Sequence, residues 1–158
     1  MDKLLKLLSD NARLNDAQIA AMLGKSESEV ATEIARLEKE GIICGYNAVI
    51  NWDKADAKYV TALIELRVSP KKDRGFDDIA KTVVEFEEVE SVYLVSGGFD
   101  LYVTVIGKTF QDIAMFVAKR LSPLDSVLST ATHFVMNKYK ESGIFFSNVE
   151  EDERRNIF

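Results

Sequence analysis

The sequence predicts an α+β protein in two parts, and three observations carry that prediction. From Asn15 to Tyr46 the chain reads NDAQIAAMLGKSESEVATEIARLEKEGIICGY, two helical segments around a tight Gly24-Lys25 turn and then an apolar run into a glycine-containing hairpin. From Tyr59 onward, β-rich runs and helical stripes follow in the order strand, helix, strand, strand, helix, strand. A polar stretch, Asn51 to Lys58, separates the two patterns. The first is the shape of a winged helix-turn-helix and the second that of a ferredoxin-like βαββαβ domain. The boundaries read as residues 1–50, a link over 51–60, a second domain over 61–141 and a tail over 142–158.

The elements follow in order. Leu4, Leu5 and Leu8, then Ile19, Met22 and Leu23, then Val30, Ile34 and Leu37 recur at helical spacing, which gives three short helices around one small core. Asn15 or Asp16 caps the second helix and Gly24 ends it, while Ser26 with Glu29 three residues later forms a capping box for the third. The third helix stops at Gly41, and Ile42 to Ile50 reads as two short strands around a turn, the wing. In the second part, Thr61 to Ser69, Ser91 to Ser96, Leu101 to Ile106 and Leu128 to Tyr139 read as strands. Phe76, Ile79, Ala80 and Val83 form one helical stripe, and Phe110, Ile113, Phe116, Val117 and Leu121 the other. Gly97-Gly98 between the middle strands predicts a two-residue hairpin turn. Helices cover one face of such a sheet, and the strands stay apolar on both, so the open face predicts a dimer contact. The acidic tail, with Glu150 to Glu153 in succession, is expected to be solvated.

Composition narrows the function. The 158 residues are 47% hydrophobic, enough for packed cores, and carry a formal net charge of −6, so no global attraction draws the chain to nucleic acid or anionic membrane. Any DNA contact must come from a local patch or from oligomer symmetry. Cys44 and His133 are single, which excludes an intrachain disulfide and argues against a Cys/His metal site. No signal peptide or membrane-length apolar run is present, so a cytoplasmic protein is expected. His133 lacks a nearby nucleophile in a turn, and Glu85, Glu87, Glu88 and Glu90 read as a solvated loop, so an enzyme is not expected.

LEKEGII.GY after the third helix, with V-S-G-G-F-D-L between the middle strands of the second domain, resembles the Lrp/AsnC family, the feast/famine transcription regulators. The resemblance spans the chain to about Lys140. It implies a DNA-binding regulator that responds to an amino acid or similar effector, with dimers that assemble into octamers and no cofactor. The other reading is an oligomeric sensor or scaffold that has lost most of its DNA binding.

That other reading has a specific cause. The third helix opens Ser26-Glu27-Ser28-Glu29 and carries Glu33, Glu38 and Glu40 against only Arg36 and Lys39. With Val30, Ile34 and Leu37 inward, Ser28, Thr32, Ala35, Arg36 and Lys39 face outward, with Glu29 and Glu33 on the flanks. Family members usually carry basic or amide residues at the positions matched by Ala31, Thr32 and Glu33, and this chain departs from them. The candidate DNA contacts are Arg13, Lys25, Ser26, Ser28, Thr32, Arg36 and Lys39, with the four cations directed at phosphate. For the effector, the resemblance points to Ser96, Gly97, Gly98, Phe99 and Asp100. Glycine amides there can hold a carboxylate and Asp100 an α-ammonium group, with Tyr102, Thr130 and Thr132 as neighbours.

Overall fold

The structure is a computed structural model that describes residues 2–55, 58–69 and 75–146; the acidic Glu150 to Glu153 run lies outside them. The chain divides into two compact units, Met1–Val49 and Ile50–Phe158.

In the first unit, α1 (Lys3–Asp10), α2 (Asp16–Leu23) and α3 (Glu27–Lys39) close on a core of Leu4, Leu8, Ile19, Ala20, Val30 and Leu37. The caps that the sequence announces are formed. Asn15 accepts from the Gln18 amide and Gln18 reaches back to the Asn15 amide, while Gly24 ends α2 in the left-handed region at φ 66°. The Ser26/Glu29 pair repeats the reciprocal bonding at the start of α3.

The wing is where local pattern misleads. No strand forms between Ile42 and Ile50. The amides of Ile42 and Ile43 both donate to the Leu37 carbonyl, at 2.9 and 3.2 Å, after Gly41 turns the chain at φ 69°. The first residues of the expected hairpin are thus used to close α3, and the Tyr46 hydroxyl donates back to Glu38 at 2.9 Å. Apolar alternation supplied strand character without a strand to pair with.

The second unit builds β1 (Val60–Val68), α4 (Phe76–Val84), β2 (Val89–Leu94), β3 (Leu101–Gly107), α5 (Phe110–Phe116, continued by a π-helical turn over Val117–Leu121) and β4 (Val127–Phe134). The sheet order is β2-β3-β1-β4, antiparallel throughout, as a ferredoxin-like split βαβ requires. Ala62, Ile64, Leu66 and Val68 of β1 and Leu101, Val103 and Val105 of β3 point to the helices, where Ile79, Val83, Ile113, Phe116, Val117 and Leu121 cover them. Arg120 straps this layer: Nη1 bonds both Glu88 oxygens at 2.6 and 2.8 Å, and its guanidinium lies 4.4 Å from the Phe86 ring centre.

The structure differs from expectation at four points. β4 ends at Phe134 rather than Tyr139, and Lys140–Glu141 (β5) pairs with Ile144–Phe145 (β6) around Ser142 and Gly143, both at positive φ. Phe146 behind this hairpin is buried, so the second unit's structure runs into residues assigned to the tail. The Gly97-Gly98 segment is a longer loop closed by the Val95 amide on the Asp100 carbonyl at 2.9 Å, and neither glycine takes a positive φ. The open sheet face is mixed, with Leu63 and Tyr102 beside Glu65, Arg67 and His133.

Leu66 is fully buried whereas Leu63, on the same strand, faces the open side. Leu66→Ala is expected to cost about 2–5 kcal/mol in urea unfolding. Leu63→Ala should cost distinctly less; equal costs would contradict this assignment of strand faces.

Candidate DNA interface and effector hollow

On α3 the inward stripe is Val30, Ile34 and Leu37, and Ser28, Ala31, Thr32, Ala35 and Lys39 are exposed on the other side. The Thr32 hydroxyl donates to the Ser28 carbonyl at 2.8 Å, so it is turned onto its own helix. Ser26 and Glu29 are both committed to the cap, with Ser26 N to Glu29 Oε2 at 2.8 Å. Arg13, Lys25 and Lys39 are exposed.

Arg36 differs from the other cations. Its Nε and Nη2 donate to the two Glu33 oxygens at 3.0 and 2.7 Å, and its Nη1 donates to Glu40 at 2.5 Å. The Glu33 and Glu40 bonds hold the guanidinium charged beyond its already high ordinary value, and the Arg36 bond holds the Glu33 carboxyl below the usual carboxylate range. The Ser26 backbone amide does the same for Glu29.

At the sheet end of the second unit, a hollow of about 320 Å³ is lined by Glu65, Arg67, Gly98, Phe99, Ser129, Thr130 and Ala131. It brings together Gly98, Phe99 and Thr130 of the expected set. Tyr102 flanks it, its ring centre 5.9 Å from that of Phe99. Ser96 and Gly97 are exposed in the same loop. Thr132 stands opposite Ile64 on the helix-covered face, and the Thr130 hydroxyl turns to the same side, 3.4 Å from that of Ser122. Their side chains therefore sit across the sheet from Tyr102, which pairs with Glu65.

Asp100 is engaged in holding the loop. Past the Leu66/Leu101 pair the β1–β3 ladder ends, and the Asp100 carboxylate accepts the Val68 amide at 2.8 Å while the Asp100 amide donates to Leu66 at 2.9 Å. One carboxylate oxygen thus replaces a ladder bond, beside the β1/β4 register shift at Arg67/Val68. Two of the lining residues, Arg67 and Glu65, are not among the sequence candidates. Their signal was the period-two alternation of β1, which puts them on the open face of the strand whose other face is core.

The hollow therefore offers a guanidinium, a carboxylate and an aromatic ring around backbone. The Gly97 and Gly98 amides make no backbone hydrogen bond among the described residues. No cluster able to hold a metal ion, and no helix long and apolar enough to cross a membrane, occurs among the described residues.

Comparison with known proteins follows the same division. The Lrp/AsnC ligand binding domain profile matches residues 61–145, and a winged helix-turn-helix DNA-binding profile matches residues 3–43. An uncharacterized HTH-type transcriptional regulator of Bacillus subtilis, YugG, is 46% identical over 153 residues, covering 96% of this chain and 92% of its own. The proline dehydrogenase transcriptional activator of Rhizobium radiobacter is 30% identical over 142 residues, 90% of each chain. Among solved structures, a transcriptional regulator of Neisseria meningitidis in complex with L-Met superposes with a TM-score of 0.71 at 23% identity, over 89% of this chain and 93% of that one.

Both Glu29 and Glu33 are held below the usual carboxylate range in the folded chain, so their contribution is present above the unfolded value and lost as pH falls through the folded one. The helical circular dichroism signal near the melting midpoint is expected to be level from about pH 7 to 5 and to fall below about pH 4.5. Glu29→Gln should remove part of that fall; an unchanged profile would contradict the cap's role.

Proposed function

The chain belongs to the Lrp/AsnC family of transcription regulators, with a DNA-binding winged helix-turn-helix and a ligand-binding domain, and from that premise we propose how it divides recognition between them. The winged unit docks α3 on duplex DNA as one of a symmetric pair. Lys39, Lys25 and Arg13 supply phosphate contacts and Ser28 the small polar surface at the groove. The ferredoxin-like domain takes a free amino acid or similar zwitterion in the hollow beside Gly98 and Phe99.

The observation that carries the effector reading is that Arg67 and Glu65 both line that hollow, with Glu65 3.3 Å from His133 Nε2. A zwitterion presents a carboxylate and an ammonium a few ångströms apart, and a guanidinium with a carboxylate is the complementary set. Glu65 replaces Asp100 as the ammonium partner in this reading, because Asp100 is tied to Val68. The unpaired glycine amides support carboxylate capture from the loop side.

Homodimers assembled into octamers would place several α3 pairs on one DNA, and effective concentration would compensate for a sparse recognition helix. The effector acts by binding one arrangement of that assembly more tightly than another. The acid-rich α3 favours a second reading, a ligand-responsive scaffold with weak DNA affinity.

Gel shifts on promoter fragments near about 50 mM salt separate these readings. The regulator should form a cooperative complex weakened by Lys39→Ala, whereas no complex at that salt favours the scaffold. A thermal-shift panel of the common amino acids tests the hollow: at least one should raise the melting temperature, and Arg67→Ala should abolish that rise. A rise that survives Arg67→Ala would place the ligand elsewhere.

A further inference from the structure

Arg36 is the cation nearest the middle of α3 that a phosphate-contact count would include first, yet it is already bound. It stands three residues after Glu33 and four before Glu40, so both carboxylates lie within one turn of it on the same flank. Three of its donors are engaged, two of them in the parallel fork that also suits a phosphate. The edge that grips Glu33 cannot grip DNA at the same time. Lys25 adds its field to Glu33 from the start of the helix, so this carboxylate is well stabilised as an anion.

The alternative arrangement is electrostatically poor. If Arg36 left for a phosphate, Glu33 and Glu40 would stand bare on a helix laid against a polyanion, and two repulsions would offset one attraction. Exposed i,i+3 and i,i+4 ion pairs stabilise a helix only modestly. Here they also decide where charge is left for DNA. We propose that Arg36 is a neutralising clamp on the Glu33/Glu40 flank and not a phosphate contact. Glu33 and Glu40 then set the affinity and salt sensitivity of DNA binding by withholding that guanidinium. The inference rests on α3 being the helix that faces DNA.

The salt slope of DNA binding separates a clamp from a contact, because it counts phosphates neutralised, about 0.9 per contact. In the full chain, Glu33→Gln with Glu40→Gln should bind more tightly, by roughly tenfold at low salt, and steepen the slope by about 0.9 as Arg36 is freed. Adding Arg36→Gln to that pair should return the slope to the wild-type value. Arg36→Gln alone should weaken binding while leaving the slope nearly unchanged. Lys39→Gln is the reference for a true contact and should flatten the slope in either background.

The opposite pattern overturns the proposal: a slope flattened by Arg36→Gln alone and unmoved by the two glutamine substitutions. A second readout is the carboxylate titration of Glu33 by NMR. It should stay below the usual range when DNA is saturating, and should relax to it in Arg36→Gln. A Glu33 that relaxes on adding DNA also refutes the clamp. If the wild-type chain binds no DNA at about 50 mM salt but the doubly substituted one does, the regulator reading fails and the clamp stands; binding by neither overturns both.

Discussion

The two-residue period of β1 is the constraint on which the second domain depends. β1 is paired on both edges, to β3 and to β4, so its register fixes both neighbours. Because Ala62, Ile64, Leu66 and Val68 must face the helices, Leu63, Glu65 and Arg67 must face the other way. The hollow's charged pair is therefore a by-product of core formation and needs no separate device to aim it. A one-residue slip would bury Glu65 and Arg67 and expose the core, at a cost no surface interaction could offset.

The same strand determines the role of Asp100. β3 begins one residue after it, and the ladder has no backbone acceptor left for the Val68 amide. The carboxylate fills that place at 2.8 Å and anchors the 95–100 loop against β1. A residue that by type suits a ligand contact is thus a fold contact by geometry, and it fixes where Gly98 and Phe99 stand. Arg67, one position before Val68, inherits its placement from the same bond.

What the sequence made legible follows from how local each signal is. Caps such as Asn15/Gln18 and Ser26/Glu29 need three residues and were readable; so were Gly24, Gly41 and the core stripes of all five helices. Strand existence is readable from alternation, but strand ends are not: β4 pairs with β1 as far as Ala62/Phe134, and after one further bond, from the Val135 amide to the Thr61 carbonyl at 2.9 Å, the chain leaves the sheet although its apolar run continues. The Gly97-Gly98 loop is not readable from its own residues for a related reason: its closure depends on Asp100 reaching Val68, thirty-two residues away in sequence. At the candidate site, Gly98 and Phe99 are legible from the motif, whereas Glu65 and Arg67 come to line the hollow only once β1 and β4 are paired. Thr132 faces the helices because its strand phase is set by pairing opposite Ile64.

The carboxylates of α3 are resolved by the same attention to partners. Glu29 belongs to the cap, Glu38 accepts from Tyr46, and Glu33 with Glu40 holds Arg36. Each acidic residue after Glu27 therefore has a local bond, and what remains for DNA is Lys39 with small polar neighbours. A helix so furnished gains little from any single base edge, where one bidentate pair is worth about 1–3 kcal/mol. If the proposed assembly forms, specificity would come from spacing: several weak helices held at fixed separations would reject a site whose half-sites are out of phase, although no single contact does. In the proposed assembly the arrangement of copies, and hence any ligand that alters it, would then determine which DNA is read.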